Sequence, residues 1–448
     1  MGGHGSANIK MTARLGTEGC ELNTPKAAKF DVRRIYKGGT KTLIFRVFGV
    51  SLLFGLHILL GNALGPAQYG LYSFALSVTG LLMSFAALGL PTALMRYVVQ
   101  YKEQQKLNEL KGALQQLPAF ALLASFVFSA LILIVAIPLL DGHEWGQGLR
   151  YSTLLLPVFV LEQIRRNLYK GYARPIGSIM PDEIIRPIAL GACVWLLQIK
   201  AGSTAITLYL AITTVLAAGF LAWLYRDVGR PLSGPSAKYE TKEWFATALP
   251  MAYGSIGYLM INQTDVVMLG ILKEMRLVGV YSAANRIAML CQIILGTAAI
   301  IAIPMITAAY HGSRMHEYRN ILGHTRIWIV TLTLPLFLVM IAFPQMILSM
   351  FGDDYVEGAW ILRILATGQF VSAVAGPHGL ALSMTDRQKI LATVMLLAGV
   401  LKVFLNFVAI PVWGAIGAAT VTMLCLLLIN ITLLMIIHRS ISSVFTSK

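Results

Sequence analysis

Arg46 and His57 stand eleven residues apart in otherwise apolar sequence. On a helix that separation is three turns, so both side chains share a face about 16 Å apart along the axis. Ser255, Tyr258, Asn262 and Asp265 follow one another at spacings of three, four and three, a single helical face with Gln263 beside it. Tyr281, Asn285 and Gln292 form a third stripe with Arg286 at its edge, and Lys402 lies one turn before Asn406. Glu162 and Arg166 sit at i and i+4. None of this is hydrolytic or metal chemistry. The chain has no HExxH and no Ser/His/Asp set at plausible spacing, and the adjacent Asp353 and Asp354 read as a solvated loop. Gly38-Gly39-Thr40-Lys41-Thr42 lacks the Walker A spacing. Cys20, Cys193, Cys291 and Cys425 form no CxxC, so no disulfide, metal or cofactor is expected. What remains is non-covalent. Arg46, Arg286 and Lys402, with His57 and Asn406, have the chemistry to hold an anionic group. Asp265 and Glu162 have the chemistry to take up H⁺ or Na⁺.

These residues are carried by long apolar segments. A run of about 20 apolar residues spans a bilayer as a helix. Twelve such runs are predicted, at 43–63, 72–94, 114–139, 151–170, 181–199, 204–225, 245–271, 278–309, 327–350, 358–384, 390–411 and 414–437. Composition agrees: 57% hydrophobic and 12% charged, against about 25% charged in a soluble domain. Basic residues then sort by side. The loops on one side hold only Arg150, Lys200, Lys273 and Arg276. Arg46, Arg286, Arg363 and Lys402 fall inside spans, and the rest of the 36 Lys and Arg, Arg165 and Arg186 among them, go to the side of the termini. The positive-inside rule therefore places both termini in the cytoplasm. The net charge of +16 is explained by loops facing an anionic leaflet, without nucleic acid.

The expected organisation is a polar cytoplasmic tail (1–42), a six-helix lobe (43–225), a cytoplasmic linker (226–243), a second six-helix lobe (244–440) and a short tail (441–448). The chain repeats itself weakly. Tyr69-Gly70-Leu71-Tyr72-Ser73-Phe74-Ala75 opens span 2, and Val278-Gly279-Val280-Tyr281-Ser282-Ala283-Ala284 opens span 8, 209 residues on. At that offset Tyr101 falls on Tyr310, each beginning a basic loop. Six spans per half give both halves one orientation, hence a pseudo-two-fold axis along the membrane normal, with a substrate site between the halves.

Ionisable groups in spans are costly and face a cavity or each other. Glu162 with Arg166 reads as an internal pair, His57 as a packed imidazole or a cavity group, and Arg363 as a snorkelling side chain. Arg46 has the option of snorkelling inward. Asp265 and Arg286 are placed to pair between spans 7 and 8. Lys402, near mid-bilayer, is the strongest expectation for a cavity-facing cation. The sum is a cavity with more positive than negative charge, and attraction to an anion strengthens as the effective dielectric falls. A lipid-linked phosphate or pyrophosphate suits it, its sugars in a wet path and its tail in lipid.

Four motifs carry a resemblance. Gly65-Pro66-Ala67-Gln68-Tyr69-Gly70-Leu71-Tyr72-Ser73 resembles the loop entering span 2 of polysaccharide-biosynthesis flippases, Wzx-like members of the multidrug/oligosaccharidyl-lipid/polysaccharide exporter superfamily. Gln263-x-Asp265-Val-Val-Met-Leu269-Gly270 followed by Val278-Gly279-x-Tyr281-x-Ala283-Ala284-x-Arg286-Ile287 resembles that family's span 7–8 signature. Phe351-Gly352-x-x-Tyr355 with Ala359-x-x-Leu362-x-x-Leu365, and Asn406 to Pro411 with Gly414-Ala-x-Gly417-Ala418-Ala419, are similar to its span 9–10 and 11–12 junctions. The resemblance implies an all-α polytopic protein of about twelve transmembrane helices in two lobes. It also implies alternating access, no enzymatic step, and movement of an undecaprenyl-pyrophosphate-linked oligosaccharide or a related glycan to the outer leaflet of the plasma (inner) membrane. Arg46, Arg286 and Lys402 are by position its candidate head-group residues. Expected partners are the lipid-linked glycan, the bilayer and glycan polymerase machinery. The longer peptidoglycan-precursor flippases carry two further spans that this chain lacks. Two other classes compete: a drug antiporter of the same superfamily, which a cationic cavity disfavours, and a membrane glycan polymerase or ligase, for which no outer loop is long enough.

Overall fold

Two long helices dominate the chain, and each is broken once by the same device. The computed structural model describes residues 32–136, 144–229, 236–312, 314–376, 382 and 388–446. Residues 1–41 form a unit of their own, helical from Val32, and residues 42–448 form the other. The following concerns the larger unit. Helix α1 (Val32–Ala86) contains Gly65 at φ 71, ψ 170, followed by Pro66. Glycine takes the positive φ without a Cβ clash, and proline ends the hydrogen-bond ladder. The last helix, Gln388–Thr446, breaks at Gly414 (φ 55, ψ −135), just past Pro411. Each apolar run is far longer than one bilayer crossing, so each break turns one helix into two passes.

Between them lie α2 (Leu90–Glu103) and α3 (Leu107–Leu131). Helix α4 (Glu144–Gly171) follows, then α5 (Pro175–Met180) and α6 (Arg186–Leu196), joined by a π-helical turn Pro181–Ile185. Helix α7 (Gly202–Gly229) closes the first lobe. The second lobe has α8 (Thr241–Leu272), α9 (Met275–Ala288), α10 (Leu290–His311), α11 (Met315–Ala342), α12 (Pro344–Ser349), a 3₁₀ turn Asp353–Gly358, α13 (Ala359–Ala375) and α14, the broken Gln388–Thr446 helix. No strand occurs among the described residues. Eight helical stretches among them are long and apolar enough to cross a membrane. Two of these, Phe45–Ala86 and Lys389–Ile436, are the broken pairs. The passes at 144–171 and 175–196 fall outside that set because Glu162, Arg165, Arg166, Asp182, Glu183 and Arg186 lower their hydropathy. With these two included, the twelve-helix, two-lobe fold expected from the sequence is the fold observed. The expected spans ending at 139 and 384 run into residues outside the described ones.

The two halves meet at equivalent places. A Cβ on Gly70 would stand 1.9 Å from the Met275 carbonyl oxygen, and one on Gly279 would stand 1.9 Å from the Pro66 carbonyl oxygen. Gly70 and Gly279 are 209 residues apart, and so are Pro66 and Met275. Such mutual contact of equivalent residues is what a two-fold axis produces. The lobes seal here. Asn62 Nδ2 donates to the Met350 carbonyl at 2.5 Å, and Phe351 packs against Phe54, Tyr69 and Tyr355. Toward the other end the lobes touch along α2 and α8, where Trp244 Nε1 donates to the Tyr101 hydroxyl (3.0 Å) and Tyr101 donates to Glu240 (2.9 Å). That bond, then the Lys238 ammonium, holds the Glu240 carboxyl below its usual range.

Candidate functional site

A cavity of about 590 Å³ lies between the first half of α1 and helices α8, α10, α13 and α14. Of the predicted stripe on α8, Tyr258 and Asn262, one turn apart, line it, and Ser255 and Asp265 do not. Gln292 on α10 and Gln369 on α13 line it together, with Gln292 Nε2 donating to Gln369 Oε1 at 3.0 Å. Ser372 and Asn430 complete the polar wall, Asn430 Nδ2 donating to the Ser372 hydroxyl (3.0 Å) and the Leu426 carbonyl (2.8 Å). Arg46 of the first lobe enters from the opposite side and passes over Gly296, where a Cβ would stand 3.6 Å from Arg46 Nη2. Arg46 is the one charged side chain among the described residues that line the cavity. It has no ion-pair partner among them, although Glu183 stands within its electrostatic reach.

Lys402 does not face this cavity. It is fully buried, and its ammonium donates to Asp265 Oδ2 at 2.7 Å and to the Ile261 carbonyl. The same carboxylate accepts from the Tyr281 hydroxyl (2.6 Å), the Thr422 hydroxyl (2.6 Å) and Asn406 Nδ2 (2.7 Å). The network joins α8, α9 and both halves of α14. It replaces the expected Asp265–Arg286 pair and the expected cavity-facing Lys402. An ammonium and a carboxylate on adjacent buried helix faces satisfy each other, and either left alone would carry a large desolvation penalty.

Arg286 and His57 also lie apart from the cavity lining. His57 is buried, hydrogen-bonded through Nδ1 to the Tyr69 hydroxyl at 3.1 Å and edge-on to its ring. Arg286 stands beside Tyr69, across the seam between the lobes. Both belong to the aromatic seal around Tyr69, Phe351 and Tyr355. Of the five candidate head-group residues, the structure puts only Arg46 in the cavity.

Glu162 forms a second buried network. Its closest cation is Arg186 (2.8 Å), and Arg166, the partner read from the sequence, stands at 3.9 Å. Arg165, fully buried, pairs with Asp182 and donates to the Gly177 carbonyl at 2.8 Å. Arg186 stacks over Tyr209, 4.9 Å from the ring centroid. Arg165 and Arg186 are therefore core residues of the first lobe, not loop residues as their basic character suggested. The π-helical turn Pro181–Ile185 presents Asp182 and Glu183 to this cluster, and Asp182 Oδ2 and Glu183 Oε2 have no hydrogen-bond partner among the described residues. Sequence reading missed Asp182, Glu183, Gln369, Ser372 and Asn430. All five are polar side chains inside apolar runs, the same signal that singled out Asp265.

The family model described as polysaccharide biosynthesis protein matches residues 35–310. The chain belongs to the polysaccharide biosynthesis protein family. A second model, MatE, matches residues 250–408. A Haloferax volcanii protein named probable low-salt glycan biosynthesis flippase is 22% identical over 391 residues, covering 87% of this chain and 80% of that protein. Among solved structures, the lipid II flippase MurJ in an inward closed conformation superposes with a TM-score of 0.68 at 12% identity, over 89% of this chain and 87% of its own. An inward-facing multidrug resistance MATE family transporter gives 0.65 at 16% identity, over 91% and 99%. At these identities the two structures establish the fold alone.

Proposed function

We propose that this family member is a flippase for a lipid-linked oligosaccharide, moving it from the cytoplasmic to the outer leaflet of the plasma membrane for surface polysaccharide synthesis. The carrying observation is the lining of the cavity: one cation, Arg46, faces a largely apolar lining set with neutral amides and hydroxyls, and no carboxylate lines it among the described residues. A phosphate or pyrophosphate is drawn to Arg46, because a guanidinium matches phosphate oxygens bidentately. The uncharged wall receives sugars. A cationic drug would meet the charge of Arg46, and the carboxylate within reach of that charge, Glu183, does not line the cavity. The bias of basic residues supports cytoplasmic termini, which puts Arg46 near the cytoplasmic end of the first span. In this reading the head group loads from the cytoplasm, the seal at Gly70 and Gly279 opens as the lobes rock, and the head group leaves outward.

Gene deletion tests this. In spheroplasts treated with an impermeant sugar-modifying reagent, the lipid-linked glycan should accumulate in the protected leaflet. An unchanged distribution, in a strain without a second flippase, would favour the drug antiporter.

A further inference from the structure

Glu183 is the one acid of the first lobe's buried cluster that has no ion pair among the described residues. Glu162 is held by Arg186 at 2.8 Å, and Asp182 by Arg165. Arg166 stands between Glu162 and Asp182, at 3.9 and 3.8 Å. Glu183 Oε2 is buried, with no hydrogen-bond donor among the described residues. A π-turn is a rare insertion into a helix, found mostly at functional sites. Here it sends Asp182 toward α4 and Glu183 toward α1. The position on α1 that receives Glu183 is Gly49. A Cβ there would stand 2.7 Å from Glu183 Cβ and 3.2 Å from Glu183 Oε2, so the missing side chain permits the approach.

Arg46 precedes Gly49 by one turn of the same helix. Positions three apart on a helix have Cβ atoms about 5–6 Å apart, so Glu183 Oε2 lies within about 9 Å of Arg46 Cβ. One extended arginine side chain and one hydrogen bond close that distance. Arg46 also exerts the largest charge effect on Glu183, ahead of Arg166, Arg186 and Lys170. In the structure its guanidinium reaches over Gly296 into the cavity instead. Arg46 thus has two places to go: the cavity, where a phosphate would meet it, and Glu183. Whenever no head group is bound, a guanidinium in a largely apolar lining bears a desolvation cost, and so does a buried carboxylate without a cation. Pairing relieves both. We propose that Glu183 is the internal counter-ion of Arg46: it takes the guanidinium as the head group leaves, competes with the phosphate for it, and so speeds release. The inference rests on the flippase reading. It goes further by naming a residue outside the cavity that sets how tightly the cavity holds its anion.

The test uses purified full-length protein in liposomes, with a polyprenyl pyrophosphate as the probe. Glu183→Gln removes the competing charge at nearly constant shape. KM should fall about tenfold, the low end for a hydrogen bond to a charged group, and kcat should fall with it because release slows. A mere loss of folded protein lowers kcat and leaves KM where it was. Equilibrium binding of the same probe in nanodiscs gives a second reading. Glu183→Gln should tighten binding when Arg46 is present and leave it unchanged in an Arg46→Ala background. A KM unchanged or raised in Glu183→Gln, or equal tightening without Arg46, would overturn the counter-ion and leave the flippase reading standing. Wild-type protein that neither binds nor flips the probe would overturn both.

Discussion

The Asp265–Lys402 network predicts a pattern that no pair of exposed charges would show. Lys402→Met removes the ammonium 2.7 Å from Asp265 and leaves the carboxylate with Tyr281, Thr422 and Asn406 as donors. Three neutral donors soften the loss, so it should fall near the low end of the range for breaking a buried pair, about 3 kcal/mol. Asp265→Asn leaves the Lys402 ammonium with the Ile261 carbonyl and a neutral amide, at a cost nearer 5 kcal/mol. The double variant removes both charges, and its amide keeps an acceptor for the two hydroxyls. It should lie within about 2 kcal/mol of wild type, because replacing a buried ion pair by neutral groups is often close to neutral. Equilibrium unfolding in mixed detergent–lipid micelles measures all three, and the two single losses less the double give a coupling of about 6 kcal/mol. The pair does not line the cavity, so the double variant should still flip substrate. Additive destabilisation would refute the ion pair. A stable double variant with no flipping would refute the placement of the pair outside the transport path.

Other outcomes follow from the same geometry. Arg46→Ala should abolish most flipping of a pyrophosphate lipid while leaving the elution profile and amount of membrane protein unchanged; retained flipping would remove Arg46 from head-group binding. Gly279→Val drives a side chain into the Pro66 carbonyl, so the sealed end should part. In a cysteine-free background, a cysteine at Ser282 should then react with an impermeant maleimide, and continued protection would count against the glycine contact as the seal. Arg186→Met should cost about 3–5 kcal/mol by stranding Glu162. Arg166→Ala should cost under about 1 kcal/mol, since its pairs are long and its side chain is 36% exposed. Unfolding measurements that rank the two the other way would overturn the assignment of Arg186 as the main partner of Glu162.

Much of the fold is legible in the sequence because a membrane imposes length and polarity on each pass. The Gly65-Pro66 pair and the Pro411…Gly414 pair divide apolar runs that hydropathy alone would merge; the first falls between two predicted spans, and the second ends one predicted span and begins the next. The repeat of Tyr69–Ala75 at Val278–Ala284 is legible as a duplication, and the structure adds that its two glycines meet across the halves. The passes around Arg165 and Arg186 are less legible, because a basic residue near a predicted span end reads as a loop residue unless its buried acid is known. Glu162 was visible, but only its i+4 neighbour can be paired without a structure.

How many times the chain crosses, which polar groups are forced into the membrane, and that the two halves are related can all be read from the residue order. These follow from local hydropathy and helical period. Where those polar groups point depends on how the helices pack. One residue of register turns a side chain by about 100° around its helix, so the rotation and neighbours of each helix choose between cavity and core. That choice sent Lys402 to Asp265, set His57 and Arg286 in the seal, and left Arg46 alone among the candidate cations facing the amide wall.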